Sequence, residues 1–312
     1  MAFYYWRTHF TLDSLEAAAL RNNAVTTLYT RYFDIDFLPA DTAPHSVSGI
    51  SWDTAALPAQ IIPVVYIKNR VFERLDSAGI RRLSKNTLQL VTAISSAKNI
   101  TATEIQFDCD WTETTQKGYF LFLSTYRSLS KQIITATIRL HQVKYPAKTG
   151  IPPVEKGILM FYNMGQIDAG KGNSIYDKAV AARYTTAIKT YPLQLDIALP
   201  VFAWGLQLRQ GKVVKLLNKM NFLHFENDPN FTALGQGRYT VQQACFHGGY
   251  YFKPGDLVKT EHVTEAQLLE ITGEINRNSN HRVGNIIFYD LDKENLLLYE
   301  KNSFRKILGS LD

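Results

Sequence analysis

The sequence predicts an α/β fold, a closed (β/α)8 TIM barrel with a long insertion between its seventh and eighth strands. Three observations carry the prediction. Apolar, strand-like runs alternate with helical stretches along the 312 residues, and the runs are near-continuous, as strands buried on both faces require. The chain length is normal for such a barrel with insertions. The run Glu104-Ile105-Gln106-Phe107-Asp108-Cys109-Asp110-Trp111-Thr112 reads as a buried strand that ends on two carboxylates and leads into a helix. In this fold the C-terminal ends of the strands carry the chemistry.

The elements follow in order. The first strand is expected at Phe3–His9 and a helix at Ser14–Asn22. Strand two spans Thr26–Asp36, rich in Tyr and Thr, before a polar, Pro-containing loop over 38–58. Strand three is Ile61–Lys68, with a helix near Ser84–Ser96. Strand four is Glu104–Trp111, with a helix at Lys117–Leu129, and strand five is Ile133–His141. Strand six is Gly157–Met164, with a helix at Ile175–Thr190, and strand seven is Leu193–Ala203. The chain then continues through Gly205–Lys215, turning at Gln210-Gly211, into a Gly-rich, aromatic and loop-like stretch over 221–259. A helix at Thr264–Asn276 leads to strand eight, Asn285–Asp290. The whole chain, 1–312, reads as one barrel domain. The 221–259 insertion falls on its C-terminal face, where it is either a tolerated surface addition or part of a cleft.

Composition narrows the function classes. A hydrophobic share of 46% supports a large core and excludes a disordered chain. The 34 basic and 28 acidic residues leave a net +6 with no run of five like charges, which speaks against a nucleic-acid partner. No stretch of 18 apolar residues occurs, so no integral membrane segment is expected. No signal peptide is visible, yet a strand begins almost at once at Phe3. This raises the expectation of a leader removed from an extracytoplasmic protein, periplasmic or a surface lipoprotein. Of the two cysteines, Cys109 is read as a small buried apolar residue, and a disulfide between it and Cys245 is left open. There is no metal-ligand spacing and no dinucleotide fingerprint, and Gly170-Lys171-Gly172 is too short for a phosphate loop; no cofactor and no metal are expected.

Alternation along strand four puts Asp108 and Asp110 on one side. Two acids on one face are costly unless paired, solvated or used. Arg139, on the same face of strand five as Thr135, Thr137 and His141, is the candidate partner of a purely structural pair. Asp34 and Asp36 form a second same-face pair, with Arg31 on the opposite alternation. Trp6, Trp111 and Trp204 all fall near strand ends, and an indole is a good platform for a sugar ring.

Strand four resembles the signature strand of family 18 glycoside hydrolases, the chitinase-like barrels, which reads Asp-x-Asp-x-Glu. Met160-Phe161-Tyr162-Asn163 resembles their Met-x-Tyr-Asp or Met-x-Tyr-Asn strand, and Pro200 to Gly205 their seventh strand. The chain as a whole is also similar to a group of uncharacterised proteins with glycosidase-like barrels, through Tyr5-Trp6, Arg31 to Asp34, Asp108 to Asp110, Met160 to Asn163 and Leu199 to Gly205. The resemblance implies a carbohydrate-active barrel acting on an extracytoplasmic oligo- or polysaccharide. In its substrate-assisted variant, Asp110 orients the substrate's acetamido group, Tyr162 hydrogen-bonds it, and Asp108 supports Asp110. Trp6, Asp34, Asp36, Arg139, His141, Asn163 and Trp204 are then candidate substrate contacts. One departure stands out. The family's general acid is the Glu ending the motif, and that position is Thr112, whose hydroxyl is too weak an acid for the task. Glu113 takes the role only if the strand ends early and the loop redirects it; otherwise the acid comes from elsewhere, such as Asp34 or Asp36. The alternative is a non-catalytic, lectin-like barrel.

Overall fold

The computed structural model describes residues 1–53, 59–170, 172–220, 222–279 and 283–309. Eight parallel strands form the ring: β1 Ala2–Tyr5, β2 Thr27–Asp36, β3 Gln60–Ile67, β4 Glu104–Asp108, β5 Ile133–Arg139, β6 Lys156–Met160, β7 Gln194–Pro200 and β8 Val283–Tyr289. Their order around the ring is β1-β8-β7-β6-β5-β4-β3-β2, and β2 pairs with β1 to close it. Helices lie between most successive strands, so the expected (β/α)8 barrel is the fold. Each strand buries apolar residues on both faces. The outward set packs under the helices, with Phe3, Phe33, Val65, Phe107, Ile138 and Leu199 among it. The inward set fills the lumen with Tyr4, Tyr29, Val64, Ile158, Ala198 and Ile287.

Helix limits follow capping chemistry. In α1 (Ser14–Asn22), Asp13 accepts from Glu16 N at 2.8 Å, and the Glu16 carboxylate returns to Asp13 N at 3.2 Å. The helix after β3, Ser77–Ala97 (α2), starts seven residues before the expected Ser84, because Asp76 caps it through Gly79 N at 2.7 Å.

Several strands end earlier than their apolar runs. β1 stops at Tyr5, β4 at Asp108, β6 at Met160 and β7 at Pro200. The apolar residues beyond, such as Phe161 and Val201, keep one backbone bond to the neighbouring strand, to Ala198 O at 3.0 Å and Tyr289 O at 2.8 Å, and are buried. The loop expected over 38–58 contains short strands at His45–Val47, antiparallel to the end of β2, and Ser51–Trp52. Residues 54–58 of that loop lie outside the described residues, as do Lys171 of the Gly-Lys-Gly turn and Asn221 at the start of the aromatic stretch. Within β2 the register shifts between Arg31 and Phe33. That irregularity reverses the alternation, so Arg31 meets Asp34 instead of facing away from it.

The insertion is a sheet rather than a loop. Trp204–Arg209, Lys212–Asn218, Phe231–Gly235, Arg238–Val241 and Leu257–Glu261 form a five-stranded antiparallel sheet. The expected turn at Gln210-Gly211 joins its first two strands, with φ of 50° and 73°. A hairpin, Cys245–His247 with Tyr250–Phe252, closes over one side. Leu217, Phe222, Phe225, Phe231, Val241, Phe252 and Val258 give the unit its own core. Both cysteines are free thiols, Cys109 buried and Cys245 half-buried.

Candidate functional site

The lumen is polar along its axis. At the N-terminal end Lys156 bridges Asp196 at 2.8 Å and Glu104 at 3.2 Å. Tyr29 donates to Glu104 at 2.8 Å, and Asn285 N donates to Asp196 at 2.7 Å. In the middle, Tyr4 donates to Gln106 Oε1 at 2.8 Å, and Gln106 Nε2 donates to Thr137 Oγ1 at 3.0 Å. Thr137, with its lone pairs engaged from below, directs its hydroxyl to Asp108.

Above this chain the barrel opens into a cavity of about 620 Å³. β4 and β5 supply one wall with Asp108, Asp110, Thr137 and Arg139. Arg139 and Asp110 form an ion pair, each about half exposed. Asp108 has no ion-pair partner among the described residues. Burial, with the Asp110 carboxylate second, pushes it up to about 6 against the pull of the Thr137 hydrogen bond and Arg139.

The second wall is aromatic. Tyr162 stacks on Tyr289 with centroids 5.5 Å apart and meets Phe202 edge-on at 5.6 Å. Burial raises the Tyr162 hydroxyl well above its usual value, and that hydroxyl donates to Met160 Sδ at 2.8 Å. A thioether is a weak acceptor, so a ligand oxygen competes well for this donor. Asn163 sits beside it at φ 58°, in the left-handed region that Asn tolerates. Trp6 meets Tyr289 edge-on at 5.6 Å and carries the Arg31 guanidinium 5.7 Å from its ring. Trp204 donates Nε1–H to Glu261 Oε2 at 2.9 Å, and Lys259 holds Glu261 from the other side at 2.6 Å. The indole is therefore fixed. Asn218 and Lys219, at the end of an insertion strand, complete the rim with the exposed His141.

The cavity thus brings together Asp108, Asp110, Tyr162, Trp6, Arg139, His141, Asn163 and Trp204. It leaves out three expected residues. Glu113 lies past the end of β4 in the turn before the helix Gln116–Leu129 (α3) and pairs with Lys148 at 2.9 Å on the surface. The early end of the strand did redirect it, but outward. Asp34 is held by Arg31 beside the mouth, and Asp36 by Arg70 at 2.6 Å. Asp34 reaches the site through its charge on Asp108 and Tyr66 and through Arg31 on Trp6. Trp111 is core, stacked on Tyr119 at 5.3 Å with its N–H on Thr149 O. Thr112 is exposed and bonds to Thr114 at 2.8 Å.

One acidic lining residue escaped the sequence reading. Asp290, immediately after β8, is 6% exposed and has no ion-pair partner among the described residues. Asn295 Nδ2 donates to its Oδ1 at 2.8 Å, and Asn295 is itself oriented by Ala203 N at 3.2 Å. Burial lifts Asp290 to about 6, with Asp292 adding to the rise and Lys219 and Arg7 opposing it. The signal was available: a carboxylate at the end of a barrel strand is the pattern that singled out Asp108 and Asp110. Among the described residues no cluster of His, Cys, Asp and Glu is arranged to hold a metal ion, and no helix is long and apolar enough to cross a membrane.

Fold and mouth together define a closed (β/α)8 barrel with a polar and aromatic cavity at the C-terminal ends of its strands. No protein-family profile matches the sequence, and no curated protein matches it either. Solved structures do match in fold. The Bacillus cereus spore cortex-lytic enzyme SleL superposes with a TM-score of 0.61 at 16% identity, over 100% of this chain and 74% of that one. A family 18 chitinase from Cycas revoluta, solved as a mutant with (GlcNAc)4, gives 0.61 at 11% identity over 99% of each chain. A chitinase from Rhizomucor miehei gives 0.56 at 11% identity, over 98% of this chain and 99% of that one. At these identities the likeness is one of fold.

Proposed function

We propose that this protein is a carbohydrate-active barrel that takes an extracytoplasmic oligo- or polysaccharide into the mouth cavity and hydrolyses it. One observation carries the reading. The Asp108–Asp110 pair, the Tyr162 hydroxyl and two indoles, Trp6 and Trp204, all open onto a single cavity. Sugar hydrolysis needs charge stabilisation at the anomeric carbon and a flat apolar surface under the ring. Asp110, oriented by Arg139, and Tyr162 are placed to hold an N-acetyl group of the substrate. Asp108 supports Asp110 from below. The insertion, with Lys219 and Asn218 on the rim, forms one side of the cleft. The chitinase bound to (GlcNAc)4 makes N-acetylated oligosaccharides the first substrates to try.

The test is release of reducing ends from a panel of polysaccharides and N-acetylated oligosaccharides, wild type against Asp110→Asn. The expected result is release that falls at least about 100-fold in the variant, as loss of a charge-stabilising group in the transition state requires. No release from any substrate sinks the hydrolase reading.

A second reading has its own observation. With Thr112 bonded to Thr114 and Glu113 paired with Lys148, the end of the β4 motif offers the cavity no acid. A lectin-like barrel predicts binding without release. Asp110→Asn then weakens affinity on the same panel, with no turnover to lose.

A further inference from the structure

We propose that a second cavity, between the insertion sheet and the loop after β6, binds a small dissolved oxyanion, a phosphate or a carboxylate, and that its occupancy is relayed to Trp204 at the mouth. The inference goes beyond the glycan reading and stands without it.

The cavity has a volume of about 250 Å³ and shares no lining residue with the mouth. Its walls come from residues 172–173 of the loop after β6, from 236–238 and 259–262, and from Gln267 in the first turn of the helix Glu265–Ser279. The polar groups on those walls decide what it can hold. Most of the acceptors are engaged. Lys259 Nζ donates to Gly172 O at 2.6 Å, Asn173 Nδ2 to His262 O at 2.8 Å, and Thr260 N to Gly237 O at 2.8 Å. Gln267 Oε1 caps its helix by accepting from Thr264 N at 2.9 Å. The Glu261 carboxylate is saturated. Its Oε1 pairs with Lys259 at 2.6 Å, and its Oε2 accepts from Ser174 N at 3.0 Å, from Ser174 Oγ and from Trp204 Nε1 at 2.9 Å.

Donors are left over. Arg238 spends Nη2 on Ala169 O and Gly170 O, at 3.1 and 2.7 Å, while its Nε and Nη1 have no partner among the described residues. Neither Gln267 Nε2 nor the His262 ring has one there. Charge points the same way. Lys259 and Glu261 cancel, and Arg238 has no carboxylate in ion-pair reach among the described residues, so the lining carries one uncompensated positive charge. Burial lowers the His262 pKa, so its ring adds an N–H without adding a charge. Guanidinium N–H groups bond more strongly to an anionic oxygen than to a neutral one. The positive end of the helix dipole at Gln267 adds to the attraction.

The relay is one side chain. Glu261, 3% exposed, has one oxygen on the Lys259 ammonium at the second cavity and the other on the indole N–H of Trp204, which lines the mouth. An oxyanion beside Arg238 competes with Glu261 for Lys259. The negative charge released on Glu261 then falls more heavily on the Trp204 N–H.

The test uses the full chain and two probes, inorganic phosphate and malonate, titrated by calorimetry at an ionic strength held constant with sodium chloride. At least one should bind with a Kd below about 10 mM, and the tighter of the two says whether phosphate or carboxylate is held. Gln267→Glu keeps the oxygen that caps the helix and sets a like charge against the anion. It should weaken binding at least about tenfold with the melting temperature unchanged. Arg238→Gln should weaken it as much through lost donors; should that variant fold poorly, Gln267→Glu carries the test. The indole N–H proton resonance of Trp204, assigned with Trp204→Phe, should move downfield along the same binding curve. Those of Trp52 and Trp111, packed on Phe10 and Tyr119, should not move. No binding of either probe at ~10 mM overturns the site. Binding that both variants leave intact puts the anion elsewhere and overturns it as well. Binding that leaves the Trp204 resonance in place overturns the relay. None of these readouts uses a glycan, so a failure here is distinct from a failure of the glycan reading.

Discussion

The two ends of the barrel lumen use the same residue types to opposite effect. At the N-terminal end, two acids and a lysine are sealed together: Lys156 bridges Glu104 and Asp196, and Tyr29 and Asn285 N take up further oxygens. Burial alone would lower the Lys156 ammonium, but Asp196 and Glu104 outweigh it and raise it. At the C-terminal end two of the three acids lining the cavity have no cation among the described residues, and the third pairs with a half-exposed Arg139. Buried carboxylates are tolerated at one end because they are neutralised, and at the other they open on a cavity. What separates the two sets of acids is the partner, not the residue or its depth.

That contrast can be broken at either end. The largest effect is expected from Lys156→Met, which strands Glu104 and Asp196. Unfolding in urea should show a loss of about 3–5 kcal/mol, the usual result of removing one partner from a buried ion cluster. A loss below about 1 kcal/mol would mean that water reaches the lower lumen and that the two ends do not differ.

Asp290→Asn should act in the other direction. The folded carboxyl titrates near 6, above its ordinary value of 3.8. Between those values the fold holds a proton that the unfolded chain has released, so stability declines as pH rises through that window and is lowest at neutral pH. Removing the carboxylate should stabilise the protein near ~pH 7.5 by up to about 3 kcal/mol, and leave it unchanged near ~pH 4. Thermal melts at the two pH values decide it; equal shifts at both, or destabilisation at the higher one, would place Asp290 with the structural acids.

Asp110→Asn should cost at most about 1 kcal/mol of stability, since its ion pair with Arg139 is half exposed. A much larger loss would move the β4 pair to the structural class. The smallest effect is expected for Glu113→Gln. Its partner Lys148 is an exposed surface residue, so stability should change by less than about 0.5 kcal/mol and glycan turnover not at all. A fall in turnover would bring Glu113 back as the acid of the β4 turn.

The ring was legible because period and apolarity are local properties, and eight buried runs leave few ways to close. Strand ends were not. Phe161 and Val201 continue their apolar runs for one more backbone bond to the neighbouring strand, to Ala198 O and Tyr289 O, and for packing under the mouth. The insertion was misread because its strands bury little: Phe231–Gly235 covers only its first residue, and Lys212–Asn218 only Leu217. One-sided, Gly-punctuated strands of that kind look like loops in sequence. Within the site, Asp108, Asp110 and Trp204 were found by position at strand ends, and Tyr162 by the resemblance of Met160 to Asn163 to a chitinase-like strand. Arg31 was assigned to the wrong side because a shift in register leaves no mark in the sequence, and Glu113 turned outward because β4 ends at Asp108.

The four tryptophans fall into two environments. Trp52 packs against Phe10 at 4.7 Å and Trp111 against Tyr119, while Trp6 and Trp204 line the cavity. The molecule therefore carries its own optical reporter. Light emitted by the second pair should shift with any ligand that displaces solvent from the mouth, and that of the first pair should stay constant as an internal standard. Ligands can be screened by fluorescence titration of the unlabelled protein, with Trp204→Phe and Trp6→Phe assigning the signal to each side of the cleft.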